Sequence, residues 1–413
     1  MTYNLSTPSF PSLLHAYIPA SIQPLLLLSY PVPSPSPRFY TSFKPALHTS
    51  TTTLYEKGPK DVFFVAFCAV ALTLLRECTM RWIFGPFARW WVMNDETSKQ
   101  RTQGVGMTKR EKRRIDHVVT RFEEQGWAFL YPTVFWSLGV LILSRLPSPI
   151  SPDQLWGTYP YTPIPFLTKF YYLAQLGFWF HQIYVLHMEK RRKDHYQMFG
   201  HHVVVIALMS TSYAANFSRV GILIHFLMDF CDILLPVGPP SPRTQPEFSL
   251  IADRLKQLAK MMRYLSLTNI CDVTAVFFLI SWLFTRQIAF FLIIKSVYFD
   301  LPAYVPFKWA PEQGRYLTFH TWIGFVVMLG IIQVLCCIWF YMAIRVAYKV
   351  VKGEGAEDSR SDDEDEVDLE GEEDEDEDED KDRKRALETA MTHTETSALP
   401  APSISEHTLT KRR

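Results

Sequence analysis

Seven apolar runs, each near the length a helix needs to cross a bilayer, constrain this chain more than any other feature. They lie at about 61–83, 127–145, 168–187, 201–216, 219–235, 264–284 and 320–347. Hydrocarbon offers no partner for a backbone N–H or C=O, so a spanning segment satisfies its own groups by coiling into a helix. The expectation is an all-α polytopic membrane protein of about seven transmembrane helices. Spans four and five, 201–216 and 219–235, are short for a hydrocarbon core of ~30 Å, which suggests tilted helices or helices beside a wet cavity. After Arg286 a further apolar stretch runs to Phe299. With the sixth run it is too long for one crossing and too short for two, so it reads as a re-entrant or interfacial helix.

Charge orients the spans. Loops 92–126, 188–200 and 237–263 are rich in Lys and Arg, whereas 146–167 and 216–219 have almost none. The positive-inside rule makes the rich loops cytosolic. Seven spans then give a lumenal N-terminus and a cytosolic C-terminus. The formal net charge of zero hides this asymmetry, because 20 of the 42 acidic residues lie between Glu354 and Asp382. The basic run 108–114 reads as topology and attraction to lipid headgroups, with a contact to substrate phosphates as the minor alternative.

Four parts follow. Residues 1–58 form a Pro-, Ser- and Thr-rich arm expected to be mostly disordered. Residues 59–126 hold the first span and a basic cytosolic linker, 127–350 the helical body, and 351–413 a disordered acidic tail. Ser359 and Ser361 stand just before acidic clusters, the pattern an acidophilic kinase reads. The six cysteines show no CxxC or zinc-like spacing and read as free thiols.

Within the body, residues 187–235 place ionisable groups among apolar ones. His201 and His202 open span four, and Asp229 and Asp232 sit inside span five. An ionisable side chain in hydrocarbon is costly and marks a functional site by default. Adjacent residues on a helix point ~100° apart, so the two histidines divide between cavity and neighbouring helix. Asp229 and Asp232 are three apart and share a face. Spans four and five are antiparallel neighbours, which brings all four groups to similar depth near the cytosolic side. A neutral imidazole beside a carboxylate is a general base or an oriented nucleophile. With apolar walls that exclude water, such a site suits acyl transfer between lipidic substrates. The basic run Lys190, Arg191, Arg192, Lys193, with Asp194, lies at its mouth. Those cations could hold the phosphates of an acyl-CoA.

Other readings remain open at this stage. Two His and two Asp could ligate zinc or iron, or simply staple two helices by buried hydrogen bonds. Against a metal, adjacent histidines rarely bind one ion from one helix, and His181, His187, His195 and His225 do not repeat an HxxHH-type box. Tyr213, Asn216 and Arg219 lie at the opposite end of the helix pair, where they read as closing a tight turn.

The stretch resembles the signature of the ceramide synthases within the TLC-domain family. That pattern runs basic-Lys-Asp, His-His, Ser-Tyr, Asn, Arg-Gly, Asp-x-x-Asp. This chain supplies Arg192-Lys193-Asp194, His201-His202, Ser212-Tyr213, Asn216, Arg219 and Gly221 around Val220, and Asp229 with Asp232. The resemblance covers about 110–350, and the acidic tail looks like that of fungal members. It implies a multi-pass enzyme of the endoplasmic reticulum that joins a fatty acyl-CoA to a sphingoid base, with acyl-CoA as substrate and no cofactor. It implies six helices, spans two to seven, in a barrel around a lipid cavity, with span one outside. By position, His201, His202, Asp229 and Asp232 become catalytic, while Arg191, Arg192, Lys193, Asp194, Tyr213, Asn216 and Arg219 bind substrate. Partners implied are membrane lipids and, with no choice fixed between them, a homo- or hetero-dimer or a small regulatory subunit. The runner-up is a non-catalytic TLC protein that binds or moves lipid. Two departures stand out: Cys231 precedes Asp232 where members commonly carry Ser, and a Pro-rich insert occupies 236–247.

Overall fold

A computed structural model describes residues 18–32, 53–94, 109–146, 148–188, 195–234 and 276–351. These are almost wholly helical. Helix α1 runs Asp61–Thr79, passes through a π-helical turn Met80–Phe84 and continues as Gly85–Asn94. Then come α2 (Lys109–Leu143), α3 (Phe166–Met188), α4 (His195–Ala214) and α5 (Ser218–Leu234). Helix α6 spans Val276–Tyr304 and contains a π segment, Leu283–Ala289. The last, α7, is Phe319–Val351.

Four of these are long and apolar enough to cross a membrane: Asp61–Val92, Ile115–Leu143, Val276–Tyr304 and Phe319–Arg345. Helix α5, with 17 residues, falls short of that length, and α3 and α4 carry too many polar groups along theirs. The three carry Gln175, His181, His202, Ser212, His225 and Asp229, all buried inside the protein. Helix α3 is the hub: every residue from Tyr171 to Gly177 is buried. Its Gly177 lets α1 approach, since a Cβ there would lie 2.6 Å from that of Cys68 and 3.0 Å from the Val65 carbonyl oxygen.

One end of the bundle is bound together by short strands and side chains. Strands β1 (Pro31–Val32), β2 (Leu54–Tyr55) and β3 (Ile164–Pro165) form an antiparallel sheet, with Pro31 opposite Tyr55 and Leu54 opposite Pro165. A second hairpin pairs β4 (Lys308–Ala310) with β5 (Arg315–Leu317). Beneath the first sheet lies a buried ion pair, Lys169 Nζ to Asp61 Oδ1 at 2.7 Å. Lys169 Nζ also donates to the carbonyls of Ser29 (2.8 Å) and Glu56 (2.6 Å).

Within the arm 1–58 the described residues include Leu28, Leu54 and Tyr55 of the core, and the sheet gives Leu54 and Tyr55 backbone partners that the sequence alone does not reveal. Two expectations change. The fourth helix starts at His195, not at 201, so the paired histidines sit well inside it. No separate re-entrant helix follows Arg286. Residues 276–304 are one continuous helix, and its π segment absorbs the polar Thr285, Arg286 and Gln287 by turning them onto protein partners. Residues 264–275, the insert 236–247 and the tail with Ser359 and Ser361 lie outside the described residues.

Candidate active site in the helix bundle

A cavity of about 300 Å³ is lined chiefly by residues of α2 to α7, with Arg76 of α1 and Trp156 of the α2–α3 connection. His201, His202, Asp229 and Asp232 all line it. His202 is 5 % exposed and Asp229 8 %, whereas His201 and Asp232 are only half-buried. The helical register explains this: His202 and Met209 turn inward together, two turns apart, and Asp229 sits one turn after His225 on the same inner face.

The carboxylates have partners that the sequence reading did not anticipate. Gln175 Nε2 donates to Asp229 Oδ2 at 2.8 Å, and its Oε1 accepts from the Tyr131 hydroxyl at 2.8 Å. The amide is therefore fixed in one orientation, with its N–H side on the carboxylate. Asp232 Oδ1 accepts from Arg286 Nη2 at 2.5 Å. That guanidinium also donates to the Met228 carbonyl at 2.9 Å and lies 4.3 Å from the Trp282 ring.

The imidazoles are held by aromatic rings. The Trp179 ring lies 5.6 Å from His201 and 5.4 Å from His202, and Trp339 packs edge-on against His201 at 5.2 Å. A third cavity histidine, His225, has both nitrogens engaged. Its Nδ1 meets the Gly221 carbonyl at 2.9 Å, and its Nε2 accepts from Trp179 Nε1 at 3.3 Å. A carbonyl can only accept, so Nδ1 carries the proton and His225 is neutral. It works as a brace for Trp179.

Trp156, Phe217, Val297, Leu301 and Phe325, from the strand-bound ends of the helices and their connections, give the cavity an apolar lining there, while Glu124, Gln182 and His195 line it from the opposite helix ends. Ser212 lines the wall and is bonded to the Tyr172 hydroxyl.

The remaining sequence candidates lie elsewhere. Tyr213, Asn216 and Arg219 do not line the cavity. The Tyr213 hydroxyl donates to Asp61 Oδ2 at 2.8 Å, and Asn216 Nδ2 donates to the Gly314 carbonyl at 2.9 Å. Asn216 has φ 66°, the left-handed conformation that Asn tolerates, and so closes the α4–α5 turn. Arg219 Nη1 donates to the Gln154 carbonyl (2.8 Å) and to Thr158 Oγ1 (2.6 Å), with Tyr161 under its guanidinium. Arg191, Arg192, Lys193 and Asp194 lie outside the described residues. Among the described residues, no three of His, Cys, Asp and Glu converge as a metal site would require.

Sequence reasoning missed Gln175, Trp179 and Arg286. Only Arg286 carried a signal, an ionisable group inside an apolar segment, and it was read as a boundary.

The fold and this site define a multi-pass helical membrane protein with His and Asp side chains around an internal, largely apolar cavity. The TLC-domain family model matches residues 121–238 and 251–345, more than half of the chain, and the chain belongs to that family. Its curated relatives are acyltransferases by name. The sphingosine N-acyltransferase lag1 of Schizosaccharomyces pombe is 36% identical over 310 residues, covering 75% of this chain and 69% of that protein. A ceramide synthase of Gibberella moniliformis is 33% identical over 366 residues, covering 82% of this chain and 76% of its own. The ceramide synthase LAG1 of Saccharomyces cerevisiae is 27% identical over 323 residues, covering 75% of this chain and 66% of its own.

Proposed function

We propose that this protein is a ceramide synthase, transferring the acyl group of a fatty acyl-CoA to the amine of a sphingoid base inside the α2–α7 cavity. One observation carries the reading: His201, His202, Asp229 and Asp232, from two antiparallel helices, line a single cavity whose lining is otherwise largely apolar. An acyl chain fits such a wall, and the polar rim is where a thioester and an amine would meet. A histidine takes the proton that the amine loses. The carboxylates then stabilise the resulting imidazolium across the cavity, each held by its own partner, Gln175 or Arg286. Excluding water favours the amine over hydrolysis of the thioester.

In this reading all seven helices cross the endoplasmic-reticulum membrane, and α2–α7 surround the lipid. The C-terminal tail is cytosolic, as the basic loops require. The strand-bound end of the bundle is then lumenal. The basic residues Arg191, Arg192 and Lys193 receive the CoA phosphates at the cytosolic mouth.

The test is to incubate purified protein with sphinganine or phytosphingosine and acyl-CoAs of graded length, and to measure N-acyl product by mass spectrometry. His202→Ala is expected to lower turnover by ~10²–10⁴-fold. No product from the wild-type protein, or full activity in His202→Ala and Asp229→Ala alike, would sink the proposal. Binding of sphingoid base without turnover would instead favour a lipid carrier.

A further inference from the structure

Arg286 is one of the cavity residues that the family resemblance leaves unassigned. It lies within the π segment Leu283–Ala289 of α6, is 7 % exposed, and lines the same cavity as the two histidines. A π turn inserts an extra residue per turn and recurs at functional sites, because it turns a side chain off the regular helical face. A buried cation in a membrane interior costs several kcal/mol unless it is paired, and such a residue marks a functional site by default. The pairing with Asp232 explains only part of the side chain. Its Nη2 serves both Asp232 and the Met228 carbonyl, while its buried Nε–H has no partner among the described residues. The guanidinium plane is fixed against Trp282, which shares a buried cluster with Trp339, the ring that touches His201. The protein thus holds a rigid, incompletely used donor beside the imidazoles.

We propose that Arg286 is a catalytic residue: its guanidinium donates to the carbonyl oxygen of the bound acyl thioester and holds the negative charge that develops there. This rests on the acyl-transfer reading above. The amine nitrogen attacks the carbonyl carbon, and the C=O electron pair moves onto oxygen, where Arg286 stabilises it. The oxyanion collapses and breaks the C–S bond. The imidazole that accepted the amine proton passes it to the departing CoA thiolate. Amide and free CoA thiol are the only products, so atoms and charge balance. Asp232 keeps the guanidinium in place and limits the cost of burying it. A group fixed before the reaction and aimed at developing charge contributes most in a site that excludes water.

The experiment compares the wild-type protein with Arg286→Met and Arg286→Lys, each purified full-length in detergent and checked by size exclusion and thermal unfolding. Each is assayed for kcat and KM with a palmitoyl thioester of CoA and with its dithioester, in which sulfur replaces the carbonyl oxygen. Sulfur is a poor acceptor, so an enzyme that binds the oxygen discriminates strongly against it. Arg286→Met should lose about 100-fold or more in kcat, with little change in KM, and its oxygen-over-sulfur preference should collapse. Arg286→Lys, which keeps the charge opposite Asp232, should fold even if Arg286→Met does not, and should lose most of the preference too. A preference that survives in the variants overturns the assignment and leaves Arg286 as a partner of Asp232. So does a many-fold rise in KM at unchanged kcat, which would make it a phosphate binder. A wild-type protein that forms no amide overturns the acyl-transfer reading and this assignment together. Product from the wild type with unaltered variants overturns only the assignment.

Discussion

Gln175 on α3 and Asp229 on α5 are joined by a 2.8 Å hydrogen bond across the wall of the cavity, and Tyr131 on α2 locks the amide that makes it. Three helices thereby fix one carboxylate. The order of donors matters: Tyr131 O–H gives to Gln175 Oε1, which commits Gln175 Nε2 to Asp229. Removing the amide leaves a buried carboxylate with one donor fewer, at a cost of about 1–3 kcal/mol.

Gln175→Leu should therefore lower N-acyl product formation by at least about tenfold, the kinetic equivalent of ~1.4 kcal/mol. Tyr131→Phe should lower it less, because it only frees the amide to turn. Product rates at saturating acyl-CoA, with the variants matched for elution volume, check both. Equal losses in the two would show that the carboxylate does not depend on the direct bond.

His201, His202 and His225 should behave differently. His225 has each ring nitrogen committed, to the Gly221 carbonyl and to Trp179. It has no lone pair left for a substrate proton. His225→Ala should lower thermal stability and weaken the brace on Trp179, yet keep more activity than His202→Ala. Turnover and unfolding temperature measured on the same preparations separate the two effects. Activity lost in His225→Ala as fully as in His202→Ala would contradict the tautomer drawn here.

How far the sequence alone reaches is clear from these same residues. The apolar runs disclosed the helices because period and length are local properties. The pairing of His201 and His202 with Asp229 and Asp232 in one cavity followed from a tight turn between antiparallel neighbours, which is nearly local too. Gln175 and Arg286 stayed hidden because their meaning is tertiary. Gln175 is an ordinary polar residue until α5 and α2 are packed against it. Arg286 looked like the end of a span because a regular helix would expose it to lipid, and a π turn has no reliable sequence sign. Leu54 and Tyr55 looked like part of an irregular arm because two-residue strands have no readable alternation.

At the strand-bound end, Lys169 is wholly buried and its partner Asp61 nearly so. Breaking a buried pair on one side strands the other charge, which costs about 3–5 kcal/mol. Lys169→Met should thus destabilise the protein by roughly that amount and free the N-terminal strands, seen as faster proteolysis before α1. The double variant Lys169→Met/Asp61→Asn should recover much of the loss, since neither member of the pair is left charged without the other. Unfolding curves of the single and double variants in the same detergent test this, and equal destabilisation in both would refute it.

Lys57, on the segment leading into α1, supplies a pH-dependent term. Its Nζ donates to Ser218 Oγ at 2.6 Å and to the Tyr213 carbonyl at 3.0 Å, next to the Lys169–Asp61 pair. Burial, reinforced by the nearby charge of Lys169 and opposed by Asp61, pulls its pKa from the ordinary 10.5 down to about 7. Between those two values the unfolded chain holds a proton that the folded chain does not. Stability therefore rises with pH from about 7 towards 10.5 and gains nothing from this group below 7. Thermal unfolding of the wild type between pH 6.5 and 9.5 should show this rise, with the other titrating groups common to all variants. In Lys57→Met the rise should flatten, and its stability at neutral pH should approach that of the wild type at alkaline pH. A slope that is the same in both proteins would show that Lys57 stays charged in the fold throughout that range.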